Sequence, residues 1–575
     1  MPIAGDCAVE GRYTLTFDEY GMTGGRQSDH RLFVHGGSAG GGWVNLGPGE
    51  YRFSGGTEIA GTTLVVWGSL VSDVRILHDY TGLGFVGQSE LWLLGSVQGS
   101  VRNEERLNLR CWSGLHDCSS IPQQRIDGDY TQLQEGVLET VLGRHLQVGG
   151  AAALDGRLLL VGGDARYVLP TAPASVLVLH ADGGIDGTFD SWSTSSLFLE
   201  GALRYTANDV FFDAVRISLQ GAAAANGIRR PLSLASAANL DRALDGADAF
   251  ALAPQASLDD AQRRFLASAS SLLWLQDAAQ AERSFDSLAG HAHAAVRGVL
   301  HRQGEQVSAQ LAARLARQGF ATGPVPWTGE AQWRSGGHGF DGLSSGIDRW
   351  LSPRLLVGGG ITRGRTSLRL DRLGGGGWGE SPGANLYAHY RGDGWHATGT
   401  LGAERASLQL QRSIELGGPD RHVVHARRSF DHAFVHGELG RDVPLGEGRL
   451  VPFLALDYGV AHGDAFVERG DTGLELAAGA SRQARFSGAM GARYARDWSL
   501  GRHRLRLELD ARHRRELVDG DPLRAAFRGV PDVWFELPDA RDRASGELRV
   551  GLDGSGGTRT RWSMDYRRGF GGEHR

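Results

Sequence analysis

The chain of 575 residues contains no lysine; all 60 of its basic residues are arginine. That absence excludes mechanisms built on a lysine amine, such as a Schiff base or an ordinary phosphate-binding loop. We read the bias as the mark of a GC-rich genome. It is not a nucleic-acid signal, because 66 acidic residues leave a net charge of −6 and no basic footprint for a polyanion. Cysteine is scarce, at Cys7, Cys111 and Cys118 only. Cys111 and Cys118 enclose six residues, a gap that a small disulfide closes in an oxidising compartment; two free thiols are the alternative. No apolar run approaches the length of a membrane-crossing helix. The start, Met1-Pro2-Ile3-Ala4-Gly5-Asp6, has neither a basic segment nor an apolar core, so no export signal is visible. Glycine is plentiful, 86 residues or about twice usual usage, which suits tight turns and close-packed strands. The length allows three or four domains.

From about residue 325 onward the sequence alternates with period two. Between 503 and 512, Leu505, Leu507, Leu509 and Ala511 point one way, and Arg504, Arg506, Glu508, Asp510 and Arg512 the other. The pattern recurs about eleven times, for example at Leu386–Ala388–Tyr390, Val435–Leu439, Leu454–Leu456–Tyr458 and Trp562–Met564–Tyr566. The connections sort by length. Those at Ser352-Pro353, 391–394, 444–448 and 500–502 are tight; those at 364–379, 411–421, 463–482 and 515–541 are long, charged and glycine-rich. Short turns on one side and long loops on the other mark a transmembrane β-barrel, with Trp and Tyr near strand ends as its girdles. The competing reading is a soluble all-β domain, which rarely sorts its loops by side.

Residues 30–220 are also strand-rich, in short runs such as 55–70, 91–101 and 154–161 punctuated by Gly, Asp and Asn. Such runs suit a right-handed β-solenoid, in which each coil buries its apolar face on the next. After Arg229-Arg230-Pro231 the composition turns to Ala, Leu, Gln and Arg, with Leu258, Phe265, Leu266, Leu272, Leu273 and Leu275 at helical spacing. The last helix, about 292–318, is small and polar all round; it suits a hydrated barrel lumen better than a core. The expected fold is therefore mainly β: a solenoid over 1–125 and 126–220, a helical linker over 221–322, and an antiparallel barrel of about twelve strands over 323–575.

Short segments add a resemblance. Gly128-Asp129-Tyr130-Thr131-Gln132, Gly183-Gly184-Ile185-Asp186-Gly187-Thr188-Phe189, 205–213, Leu288-Ala289-Gly290-His291-Ala292-His293, Val451-Pro452-Phe453 and Phe527-Arg528-Gly529-Val530-Pro531 follow one another in the order and spacing of a bacterial autotransporter. The chain resembles the C-terminal part of one, closest to the subtilase-type branch, over nearly its whole length. The resemblance implies an outer-membrane translocator that carries its own N-terminal passenger to the cell surface. It implies a lumenal helix, and last solenoid coils that act as an autochaperone. Residues 205–213 resemble its closing solenoid rung. Family barrels have twelve strands and usually end in Phe or Trp. About eleven strands are readable here, and the chain ends Gly572-Glu573-His574-Arg575, so the last strand is expected to be missing and the chain truncated at both ends.

Catalytic patterns are weak. Gly342-Leu343-Ser344-Ser345-Gly346 imitates a nucleophile elbow but lies within a strand pattern, and 359–366 imitates a P-loop with Arg for Lys. His291 and His293, two apart, fall on different helix faces and make a poor metal pair. We expect no catalytic residue, cofactor or metal site, and no enzyme activity in this chain. The candidate lumenal residues are Asp348, Glu404, Glu438, Asp457, Arg493, Arg506 and Asp510 on the wall, with His291, His293 and Arg297 on the helix; Arg302 is a further helix donor. Expected partners are outer-membrane lipid, the barrel-assembly machinery, periplasmic chaperones, and a host or neighbouring-cell surface, with a monomeric barrel and no nucleic acid. Two other functions stay open. One is a surface adhesin using Trp43, Trp67, Trp92 and Trp112; the other is the C-terminal fragment of a secreted subtilisin-like protease.

Overall fold

The structure, a computed structural model, describes residues 7–9, 14–17, 26–28, 31–35, 43–78, 87–110, 122–163, 167–316, 318–335, 337–370, 375–418, 420–500, 503–518, 520–538, 544–556 and 560–570. Cys111, Cys118 and Trp112 lie outside these residues. The chain forms two compact units, Met1–Ile228 with Ala269–Ala281 and Arg229–Ser268 with Glu282–Arg575.

The first unit is a β-solenoid. In each of its three sheets the strand order advances by three through the sequence, up to a terminal hairpin in one of them, so every coil adds one strand to each sheet. Stacking puts like on like. Val44, Leu64, Leu91, Leu107, Leu138 and Leu158 occupy one parallel register and form a buried apolar column. Such a column is what lets three- and four-residue strands persist, because each coil buries its face on the next. Glycine occupies the corners for a steric reason: a Cβ on Gly95 would collide with the Gly68 carbonyl of the coil before it. Coils begin at Leu32, Thr57, Val74, Val101, Tyr130, Ala152 and Ile185, an uneven repeat that hides the solenoid from a search for a fixed period.

The Tyr130–Gln132 strand carries a buried polar network. Tyr130 donates to Gln132 Oε1 at 2.6 Å, Asn103 donates to Tyr130 at 3.2 Å, and Gln132 Nε2 reaches the carbonyls of Gly136, Asp155 and Arg157. The solenoid does not close on a parallel rung at 205–213, as expected. Leu199–Tyr205 and Asp209–Arg216 instead form an antiparallel hairpin whose second strand pairs antiparallel with Ala174–Ala181. The tight Thr206–Asn208 connection reverses the chain, and a reversed chain can only pair antiparallel. The hairpin covers what would otherwise be an open edge.

Among the described residues five α-helices follow: α1 Leu219–Ala225, α2 Pro231–Ala251, α3 Asp260–Leu273, α4 Ala278–Leu288 and α5 His291–Leu315. In the second unit the barrel strands are β1 Pro324–Ser335, β2 His338–Ser352, β3 Leu355–Leu370, β4 in two pieces (Gly375–Glu380 and Gly383–Gly392), β5 Trp395–Glu415, β6 Arg421–Arg441 continued by Val443–Leu445, β7 Gly448–Gly463, β8 Ser481–Leu500, β9 His503–Val518, β10 Ala544–Gly556 and β11 Thr560–Phe570. Both pieces of β4 pair with β3 and β5, so they count as one strand and the wall has eleven among the described residues. Every neighbour is antiparallel and consecutive in sequence; among the described residues no ladder joins β1 to β11. The expected long loops at 364–379 and 411–421 are largely strand, because β3, β4 and β5 run on past the apolar belt with alternation intact. The two loops that stay long, described at 464–480 and 520–538, contribute Phe466–Val467, Leu476–Ala478, Arg524–Phe527 and Phe535–Glu536 to a small antiparallel sheet. Asn239 of α2 donates to the Glu536 carbonyl, and Phe265 of α3 packs on Phe527.

Candidate functional site: the helix-filled lumen

The two faces of the wall are chemically opposite. The large side chains that point outward are apolar and exposed: Ile347, Leu386, Leu401, Leu454, Leu456, Met490 and Met564 form a continuous belt. Leu386 is 64% exposed and Leu454 62%, values that only a lipid solvent makes favourable for so many side chains at once. Inward residues of the same strands are buried His, Thr, Asn, Glu and Arg.

Helix α5 occupies this lumen, with contacts to β1, β3, β4, β5, β6 and β7. Its small residues allow the fit. A Cβ on Gly304 would sit 2.9 Å from the Phe434 ring and 3.1 Å from His432. Its polar residues find partners at three heights, on the outer loops and the wall. At the outer end His293 Nε2 lies 2.8 Å from Glu468 Oε1, and its ring stacks on Phe466 at 4.1 Å. Arg412 of β5 donates to both Glu468 oxygens, at 2.8 and 2.7 Å, and to the Ser287 carbonyl at 2.9 Å. In the middle Gln303 donates to Glu404 at 2.7 Å and accepts from Thr366 at 2.9 Å. His432 stands between Glu404 (2.9 Å) and His301 (3.2 Å). Arg514 and Ser487 both donate to Glu305 at 3.0 Å. At the inner end Arg314 grips Asp348 with two bonds of 2.7 and 2.9 Å. Tyr387 donates to the same carboxylate at 2.6 Å, and Trp327 donates to the Tyr387 oxygen at 2.7 Å.

The structure distributes the ten sequence candidates unevenly. Asp348 and Glu404 meet the helix. Glu438, Arg493 and Asp510 bond one another on the wall: Arg493 donates to Glu438 at 2.7 and 2.6 Å and to Asp510 at 3.2 Å. Asp457 pairs with His436 at 2.7 Å, and Arg506 donates to Glu508 on its own strand at 2.8 Å. Arg297 is buried on α5. His291 and His293 are not deep in the lumen; they sit at its outer mouth, where the long loops supply Pro538 and Glu468 as partners. Gly290 explains the placement: its left-handed φ of 64° turns the chain into α5 right there, against Leu476 and Leu537 of the loops. Ser344 lies mid-strand on β2, bonded to Thr362 at 2.9 Å.

Sequence reasoning missed Gln303, Glu305, Arg314, Arg412, Glu468 and Arg514. Arg314 had a readable signal, as a basic residue in the last turn of a helix otherwise built of small residues. Glu305 and Arg514 had none, since their partnership spans 209 residues. The lumen is not filled solid. A cavity of about 480 Å³ lies between α5 and the wall, lined by Trp327, Glu330, Asp510, Arg512, Glu547 and Arg549 among others. Polar lining of this kind holds water.

A lipid-facing antiparallel wall, a wet charged lumen and long loops on one side define an outer-membrane β-barrel with a helix in its pore. Residues 328–567 match the family model described as the autotransporter beta-domain. This C-terminal region is an autotransporter beta-domain, the outer-membrane translocator for the chain's own passenger, which is exposed at the cell surface. Among the solved structures similar to it are two translocator domains. The translocator domain of autotransporter NalP from Neisseria meningitidis is 15% identical, with a TM-score of 0.35 over 49% of this chain and 93% of that one. The beta domain of the Bordetella autotransporter BrkA is 21% identical, with a TM-score of 0.30 over 43% and 92%. No curated protein matches the sequence.

Proposed function

We propose that α5 is the plug left in the pore when translocation ends, and that the named lumenal residues hold it there. The observation that carries this reading is the polar contact that α5 makes at three separate heights, with the Glu468 loop and Arg428 of β6 at the outer end, Glu404 in the middle and Asp348 at the inner end. Buried charges need partners, so a helix carrying His293, Gln303, Glu305 and Arg314 is stable in only one register within this wall. The antiparallel hairpin at 199–216 then serves as the template on which the passenger's coils stack outside the cell, where no ATP is at hand. No catalytic step is assigned to this chain. Its assembly partners are the barrel-assembly machinery and periplasmic chaperones, and the barrel works as a monomer.

The test is gel migration of the full chain from outer-membrane fractions, with and without boiling, combined with protease treatment of intact cells. A faster unboiled band and a passenger digested from outside are expected. An unshifted band, or a passenger protected in intact cells, rejects the reading. A second reading, a surface adhesin, is favoured by Trp43, which is 41% exposed on the solenoid surface. Loss of cell adhesion in a Trp43→Ala variant displayed at normal level would support it.

A further inference from the structure

Above the apolar belt, on the side of the long loops, the outward wall turns abruptly basic. On β5 and β6 the outward residues run Leu401, Ala403, Arg405 and Val435, Ala433, Asp431; on β3 they run Ile361, Arg363, Arg365 and on to Arg369. Successive outward positions on a strand are about 6.6 Å apart, so this change from hydrocarbon to charge happens within one headgroup's depth. Two of the arginines are neutralised, Arg363 by Glu380 at 3.7 Å and Arg405 by Asp431 at 3.6 Å. Arg365, Arg369 and Arg427 are exposed and have no carboxylate in salt-bridge range among the described residues; the cross-strand neighbours of Arg365, Asp341 and Glu380, are held by Arg334 at 3.2 Å and Arg363 at 3.7 Å. Arg365 lies over the half-exposed Trp378 ring at 4.7 Å. In the hydrogen-bonded register Ser367, Trp378, Gln409 and Arg427 follow one another across β3, β4, β5 and β6. The arginines on β3 and β6 are thus about three strand spacings apart, roughly 14 Å, with an aromatic ring and amides between them. A trough of about 940 Å³, lined by Arg365, Arg369, Trp378, Gln409, Gln411 and His425 among others, lies in the same place.

We infer that this collar binds the phosphate groups of an anionic glycolipid headgroup in the outer leaflet, with Arg365, Arg369 and Arg427 as its cations. Arginine's planar fork suits phosphate oxygens, and the trough is continuous with the lipid-facing belt, so its occupant is a membrane lipid rather than a soluble polyanion. Trp378 and the amides of Gln409 and Gln411 supply a ring and hydrogen bonds for the sugar of such a headgroup. The inference rests on the outer-membrane placement of the barrel.

The test uses the full chain refolded in phosphatidylcholine vesicles, with and without a diphosphorylated glucosamine lipid, reading the temperature at which the unboiled gel band is lost. The glycolipid is expected to raise that temperature by roughly 5–10 °C, an effect that weakens as salt rises. The R365Q/R369Q/R427Q variant keeps the wild-type temperature in plain vesicles and loses more than half of the rise. An R441Q variant, altered on the short-turn side, keeps the full rise. The proposal is overturned if the triple variant responds as wild type does, if a dephosphorylated glycolipid works equally well, or if millimolar inorganic phosphate reproduces the rise. A chain that gives no heat-modifiable band in any vesicle would count against the barrel itself, a separate outcome from loss of the glycolipid effect alone.

Discussion

Replacing Asp348 by Asn keeps the side chain's shape and removes the charge that holds the inner end of α5. Asp348 is fully buried and takes two bonds from Arg314 and one from Tyr387. Breaking a fully buried ion pair costs about 3–5 kcal/mol, mostly because the remaining charge is stranded. Arg314 is not fully stranded: its side chain is 26% exposed and it borders the lumenal cavity, where water can reach it. The cost is therefore discounted to about 2–3 kcal/mol. If the helix end leaves its seat in a two-state manner, the released population rises roughly 30- to 150-fold. Single-channel recording in planar bilayers reads that population as the time spent in a high-conductance state. Arg314→Gln should act similarly, and the double variant should fall short of the sum by about 1–2 kcal/mol because the two share one interaction. Tyr387→Phe, which removes a single hydrogen bond to the carboxylate, should cost only about 1–2 kcal/mol. Equal conductance in wild type and Asp348→Asn, or full additivity of the two charge removals, would refute the reasoning.

Three further outcomes are expected. Gln132→Leu leaves Tyr130, Asn103 and up to three carbonyls without their buried partner, so the solenoid should lose about 3 kcal/mol or more, seen as a lower denaturant midpoint. Gly529→Val drives a side chain into Phe265 and should loosen the outer loop sheet from α3, so that the helix frays and trypsin cuts at the already exposed Arg263 and Arg264 on intact cells; unchanged resistance would show that the contact is dispensable. His180 is held above its ordinary value of 6.5 by hydrogen bonds to Asp209 and, secondarily, Asp182. A raised folded value means that the stabilisation is complete below pH 6.5 and fades as pH rises through the folded value. The solenoid's melting temperature should therefore fall modestly between pH 6 and 9, and His180→Gln should flatten that slope.

Much of the barrel was legible because its signal is local. Alternation along 503–512 needs only neighbouring residues, and the outward set Leu505, Leu507 and Leu509 follows from it. The sequence reads as about eleven strands, and eleven are present in the wall among the described residues. Loop length was less legible: at 364–379 charge and glycine suggested a loop, yet the strands continue, because a strand that has left the lipid no longer needs an apolar face. The stretch 205–213, read as a closing rung, belongs to an antiparallel hairpin, hidden from the sequence for a different reason. Its residues alternate as a rung's do, and only the direction of pairing separates the two.

The sequence by itself determined that this protein crosses a membrane with strands, that one face of those strands meets lipid, and that a helix of small residues precedes them. Each of these follows from side-chain period, which is set by backbone geometry within a few residues. Only the tertiary structure decided which lumenal charges meet the helix. Asp348 finds Arg314 and Glu404 finds Gln303, while Glu438 spends its charge on the wall. Those choices depend on the height and rotation of α5 inside a close-packed lumen, and they join residues as far apart as Glu305 and Arg514, so no local pattern could record them.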